Sequence, residues 1–353
     1  MTGRSERRAG VLAAFDTQVG WCEALGSPFT AAVLRAVADD IAADGIAAAL
    51  TEAWPGDPLA DALPLRLAGA LNGLVLAGAA PDLAAAYPPE PRPAPEPLRA
   101  LVAGALARHR AAILAGLGSP PQTNEVGRAA VLLGGFLRVA HETRLPLRLL
   151  EIGASAGLNG RWPAFHYRIG DRSWGDAASP VRLAPQWQGW LPQLDAPLAV
   201  AEWRGCDREP IDLGDPAQRL RLRSYVWPDQ PERLARLDGA VGLALADGLR
   251  VERADAAPWL RDRLAEPASG HATVVYHSIV WKYLPAATQD DIVDGLRAAG
   301  ALATADAPLA WLRFESLRED LRPTLRLTLW PGGREAVLAE AGPHGDPVAW
   351  MAD

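Results

Sequence analysis

The segment Leu149-Leu150-Glu151-Ile152-Gly153-Ala154-Ser155-Ala156-Gly157-Leu158-Asn159 joins an apolar run, a carboxylate and a turn of small residues. A strand over 147–152 delivers Glu151 to the carboxyl edge of a sheet. Gly153, Ser155 and Gly157 then let the backbone turn tightly and approach a ligand with no side chain in the way. A loop of this composition can hold a cofactor, and Asn159 closes it with a polar side chain.

The spacing resembles the acid-x-Gly-x-Gly-x-Gly loop of Rossmann-like S-adenosylmethionine-dependent methyltransferases, with Ser155 standing at the middle glycine. Residues Gly153 to Gly157 also spell the Gly-x-Ser-x-Gly elbow of α/β-hydrolases. In that second reading Ser155 is the nucleophile of a serine hydrolase, Asp255 or Asp306 orients the base and His344 comes last. An elbow follows earlier strands and an oxyanion loop, whereas residues 1–146 read as helical and contain no His-Gly-Gly; Glu151 has no task in a hydrolase. A tight turn that binds nothing is the third reading.

If the loop holds S-adenosylmethionine, the resemblance implies an acid at the end of the next strand for the ribose hydroxyls. Asp207 in Gly205-Cys206-Asp207 meets that requirement, with Glu202 as the fallback. The third strand ends in Arg253-Ala254-Asp255, which makes Asp255 the acid for the adenine amino group; as an N-cap it needs no cofactor. The fourth strand runs into His277-Ser278-Ile279-Val280-Trp281-Lys282, so that His277 faces the methyl donor as a base at neutral pH. Tyr276, Ser278 and Trp281 line an acceptor pocket in this reading, and Glu315 and His344 reach the same edge. The element before the first strand often lies beside the cofactor in the resembled fold, which adds Thr123, Asn124, Glu125 and Arg128.

These residues need a scaffold. From residue 6 to about 87 apolar residues recur at intervals of three and four, which indicates packed helices. Pro88 to Pro97 holds six prolines in ten residues and reads as a stiff connection. A helix from about Pro97 to Leu117 follows, and then one through His141, with Thr123 or Asn124 as its N-cap. Beyond residue 147, strands near 147–152, 198–206, 249–254, 272–278, 308–314, 324–330 and 335–341 alternate with helical segments, the last two joined as an antiparallel hairpin through Pro331-Gly332-Gly333. The expected fold is α/β. It has an all-helical N-terminal region, residues 1–142, before a Rossmann-like domain, residues 143–353. That domain carries a seven-stranded methyltransferase-type sheet with helices on both faces and a Trp-rich insertion at 160–196, read as a hairpin or lid.

Composition bounds the chemistry. Net charge is −7 over 353 residues, which attracts neither nucleic acid nor an anionic membrane, and no apolar stretch reaches the roughly 20 residues that span a bilayer. The expected partner is a small-molecule acceptor, in the cytoplasm, with room left for a homodimer. Cys22 and Cys206 are isolated in sequence, so neither a disulfide framework nor a metal site is expected. Lys282 is the sole lysine, far from the glycine turn, which excludes a P-loop.

Thr123-Asn124-Glu125-Val126-Gly127-Arg128, Glu151 to Asn159, Gly205-Cys206-Asp207, Tyr225-Val226-Trp227-Pro228-Asp229-Gln230, His277-Ser278 and Pro343-His344-Gly345 resemble an uncharacterised bacterial family known as a domain of unknown function. The likeness spans most of the chain and carries no established reaction. The reading from sequence is an S-adenosylmethionine-dependent methyltransferase, with a non-catalytic cofactor-binding or partner subunit on the same fold as its alternative.

Overall fold

Apolar residues spaced by three and four build seven N-terminal helices among the described residues. They are α1 (Thr2–Ala24), α2 (Pro28–Ala42), α3 (Ile46–Thr51), α4 (Leu63–Leu76), α5 (Pro81–Ala84), α6 (Pro95–Arg108) and α7 (Arg110–Leu117). Their apolar stripes meet in one core that includes Phe15, Leu34, Val37, Leu67, Leu71 and Val102. The single helix expected over 97–117 is two, because the axis turns by 87° at His109, which has left helical geometry at φ −112° and ψ 24°.

The computed structural model describes residues 2–90, 93–248, 250–265, 267–316 and 322–352. The chain divides into two units, Met1–Thr123 with Asp215–Leu234, and Asn124–Gly214 with Ala235–Asp353. The excursion that joins the first unit carries α9 (Pro216–Ser224) and is anchored by polar bonds. Asn72 donates to the carbonyls of Ser224 and Val226 at 2.9 and 3.0 Å, and Asp229 accepts from Ser27 Oγ and from the Phe29 amide at the start of α2. Among the described residues no single helix is long and apolar enough to cross a membrane.

The second unit is mixed α/β. After α8 (Ala129–Thr143) come β1 (Leu147–Ile152), β2 (His166–Ile169), β3 (Arg172–Gly175), β4 (Arg182–Leu183), β5 (Trp187–Gly189), β6 (Val200–Asp207) and α10 (Pro231–Asp247), which starts in the first unit. Then follow β7 (Glu252–Arg253), α11 (Ala256–Arg263), β8 (Ala272–Ser278), α12 (Ala286–Ala301), β9 (Leu309–Glu315), β10 (Thr324–Trp330), β11 (Arg334–Ala341) and β12 (Val348–Trp350).

The large sheet has nine strands in the order β5-β12-β11-β10-β9-β8-β1-β6-β7, where seven were expected. The two extra strands, β5 and β12, are three residues each and too short to show an alternation in sequence. Strands β7, β6, β1, β8 and β9 run parallel, and β10 to β12 continue antiparallel. The β10–β11 pair is the expected hairpin. The Trp-rich insertion holds a separate three-stranded sheet, β3-β2-β4, whose Tyr167 and Ile169 are fully buried.

Strand alternation divides the sheet into two faces. Leu150, Ile152 and Val275 pack with Trp259 and Leu260 of α11 and Ile292 and Leu296 of α12. Their neighbours in sequence point the other way, where Tyr276 meets Phe136 of α8 edge-on at 5.1 Å. Helices therefore cover both faces, as the buried parallel strands require.

Candidate functional site

The carboxyl ends of β1, β6, β8 and β9 share one edge of the sheet, and the glycine loop leaves β1 there. Positive φ recurs at every second residue: +67° at Gly153, +54° at Ser155 and +73° at Gly157. Glycine adopts this geometry without cost; Ser155 does not, and it needs outside support.

Its neighbours supply that support by taking up the loop's amides. Ala154 N donates to the Cys206 carbonyl at 3.0 Å, and Gly157 N to the Ala154 carbonyl at 2.7 Å. Ser155 N donates to Asp207 Oδ2 at 2.9 Å. Asn124 Oδ1 accepts from both Ala156 N and Leu158 N, at 3.1 and 3.0 Å. Every amide from Ala154 to Leu158 is therefore spent inside the protein. Asn124, expected as a helix cap, sits at φ +36° and staples the loop instead. Glu125 takes over the cap, accepting from Gly127 N at 3.0 Å ahead of the short helix Val126–Arg128.

The glycines have internal reasons as well. A Cβ on Gly153 would lie 2.5 Å from Val280, one on Gly157 would lie 3.0 Å from the Trp203 ring, and one on Gly160 would collide with the Trp203 indole. Neighbouring side chains thus fill space that the sequence reading left for a ligand. Two buried polar atoms on the loop keep no partner, Ser155 Oγ and Asn159 Oδ1.

Asp207 ends β6 as expected. Besides Ser155 N it accepts Glu209 N at 2.9 Å, so its carboxylate keeps roughly two of about four acceptor positions. Asp255 stands at the N-cap of α11 without making a capping bond, and its exposed carboxylate pairs with Arg208 at 3.3 Å. Glu202, the fallback acid, lies far from this edge and bonds Arg148 and Arg204.

Alternation sends the neighbours Tyr276 and His277 to opposite faces, so they do not share a pocket. On the α8 face the Tyr276 phenol donates to Glu151 Oε2 at 2.8 Å and accepts from Trp203 Nε1 at 2.8 Å. Burial pushes the Glu151 carboxyl up to about 7, against the lowering effect of the Tyr276 bond. Trp203 completes this relay, and sequence reasoning missed it; its only signal was an aromatic in a strand two residues before Gly205.

On the other face His277 is fully enclosed. Trp311 Nε1 donates to His277 Nε2 at 3.1 Å, which leaves the ring proton on Nδ1 to donate to Glu315 Oε1 at 2.7 Å. Trp281 stacks on the imidazole with ring centres 5.2 Å apart. Glu315 also accepts from Val280 N at 3.0 Å, which helps hold Val280 over Gly153. Arg128 ties the edge together, donating to the Pro343 carbonyl at 3.0 Å and the Ser278 carbonyl at 3.2 Å. The His344 carbonyl packs against Gly127. Ser155 Oγ makes no hydrogen bond to a described residue, whereas an activated serine nucleophile is paired with a base.

Comparison with curated proteins gives no match, and comparison with solved structures gives none. One family model, described as uncharacterized protein conserved in bacteria (DUF2332), matches residues 12–350, which include the glycine loop, Asp207 and His277. The chain belongs to that family.

Proposed function

We infer that this chain binds S-adenosylmethionine at the carboxyl edge of the parallel strands and passes its methyl group to a small-molecule acceptor. The order β7-β6-β1-β8-β9 is third-second-first-fourth-fifth, the arrangement of doubly wound nucleotide-binding sheets, with the glycine loop where the order reverses. The observation that carries the reading is the pair of buried, unpartnered atoms Ser155 Oγ and Asn159 Oδ1 on a loop already fixed by Asp207. Both atoms lie on the same loop, and a ligand admitted there would give them partners.

The residues fit an adenosyl group held by acceptors. Asp207 has acceptor capacity for ribose hydroxyls, and the exposed Asp255 can meet an exocyclic amine. They do not fit a group held by the loop's amides, which are already engaged; the phosphate cradle of a P-loop is therefore outside this reading. Val280 must move aside to admit a ligand next to Gly153. When bound, the cofactor supplies an electrophilic methyl group. The chain's contribution is to orient the donor and acceptor. With His277 sealed by Glu315, Trp281 and Trp311, acceptors that reach the site without a proton to lose suit it best.

The enclosure of His277 favours a second reading, binding without turnover, in which the unit serves as a sensor or partner subunit. Ultraviolet cross-linking with tritiated S-adenosylmethionine tests the shared premise. Label on the peptide carrying residues 149–159, displaced by S-adenosylhomocysteine, is the expected result. Absence of label, or label that the competitor leaves in place, contradicts both readings.

A further inference from the structure

The first part of β6 is open on the side away from β1, because β7 pairs only with Cys206 and Asp207. A cleft of about 680 Å³ runs along it, lined by Val200 to Arg204 and by Arg161, Pro163, Asp247, Arg250 and Glu252. That volume accepts a small molecule.

Arg161 is 2% exposed. Its Nη1 donates to Asp247 Oδ2 at 3.1 Å, and its guanidinium carbon stands 4.7 Å from the centre of the Trp203 ring. Nε and Nη2 are buried and have no partner. Those two N–H groups lie along one side of the guanidinium plane, as the parallel fork that grips a carboxylate or phosphate through two bonds at once. A buried guanidinium with an unpaired fork is costly, and an oxyanion on that fork would offset the cost. Arg250 lines the same cleft, exposed and without an ion pair among the described residues.

We propose that this cleft binds a small molecule carrying a carboxylate or a phosphate monoester. The oxyanion sits on the Nε–Nη2 side of Arg161, Arg250 is the second cation at the mouth, and the apolar body of the ligand lies against Pro163, Val200 and Ala201. The site uses the half of β6 remote from Asp207 and shares with the glycine loop the Trp203 ring, which packs on Gly157.

Nitrogen-15 spectra of the arginine Nε–H groups test it, recorded on the full chain during separate titrations with inorganic phosphate and with benzoate. The Arg161 signal is assigned by its loss in Arg161→Lys. The expected result is a saturable shift of that signal at or below millimolar concentration, with calorimetric affinity lowered about fivefold or more in Arg250→Ala and in Arg161→Lys. A response to phosphate alone assigns a phosphate-bearing ligand, and a response to benzoate alone a carboxylate. No shift with either anion at about 20 mM overturns the proposal. Equal affinity in the wild type and both variants overturns it too. Arg250 is exposed, so its removal leaves the fold in place, and adenosyl binding is read in a separate titration.

Discussion

Glu151 and Tyr276 face each other across adjacent parallel strands, and the Tyr276 phenol donates to Glu151 Oε2 at 2.8 Å. The pair is buried under α8, so the carboxyl is held near neutrality by an environment that disfavours its charge. Burial raises it from 4.5 to about 7.

A raised value in the folded state means that folding takes up a proton between about pH 4.5 and 7. The stabilising contribution is full below pH 4.5 and is lost as pH climbs through 7, an effect of about 3 kcal/mol. Glu151→Gln keeps an acceptor for Tyr276 and removes the ionisation. Urea unfolding of the variant and the wild type should therefore agree near pH 4, and the variant should be the more stable at pH 8. Parallel pH profiles would contradict the assignment.

Asn124 accepts two loop amides through one oxygen. Asn124→Ala strips both and places alanine at φ +36°, which should cost about 2–3 kcal/mol and speed hydrogen exchange at Ala156 and Leu158. Asn124→Asp keeps the acceptor and should cost clearly less. Unchanged exchange in the alanine variant would show that the staple is dispensable.

Much of the scaffold was legible because buried parallel strands announce themselves as apolar runs: 147–152, 272–278 and 324–330 were read with their bounds as observed. The site was legible in its residues more than in its pairings. Asp207 stands beside the glycine loop as expected, but the reasons for the glycines lie in Trp203 and Val280, about 50 and 130 residues further along the chain, and no local pattern couples them. His277 and Tyr276 were read as one pocket because they adjoin in sequence, whereas strand alternation parts them. Arg161 has no signal in the sequence beyond a charge between Gly160 and Trp162.

Gly160 packs against the Trp203 indole. Gly160→Ala forces a methyl group into a ring with little freedom to retreat and should destabilise the chain by about 1–3 kcal/mol, seen as a lower denaturant midpoint with an unchanged slope. A midpoint equal to that of the wild type would mean the contact is loose.

Ser155 Oγ is buried with no partner. Ser155→Ala should leave stability unchanged or raise it slightly, since it removes an unsatisfied hydroxyl. A fluorophosphonate probe should leave the wild-type serine unlabelled. Covalent labelling at Ser155 would instead support the hydrolase.

In the proposed function the loop from Gly153 to Asn159, braced by Asp207, holds an adenosyl group. Calorimetric titration with S-adenosylhomocysteine measures this without requiring turnover. Saturable binding is expected with a Kd of about 1–100 μM, weakened about tenfold in Asp207→Asn, which keeps an acceptor for Ser155 N. No heat of binding at about 1 mM ligand, or equal affinity in Asp207→Asn, would contradict it.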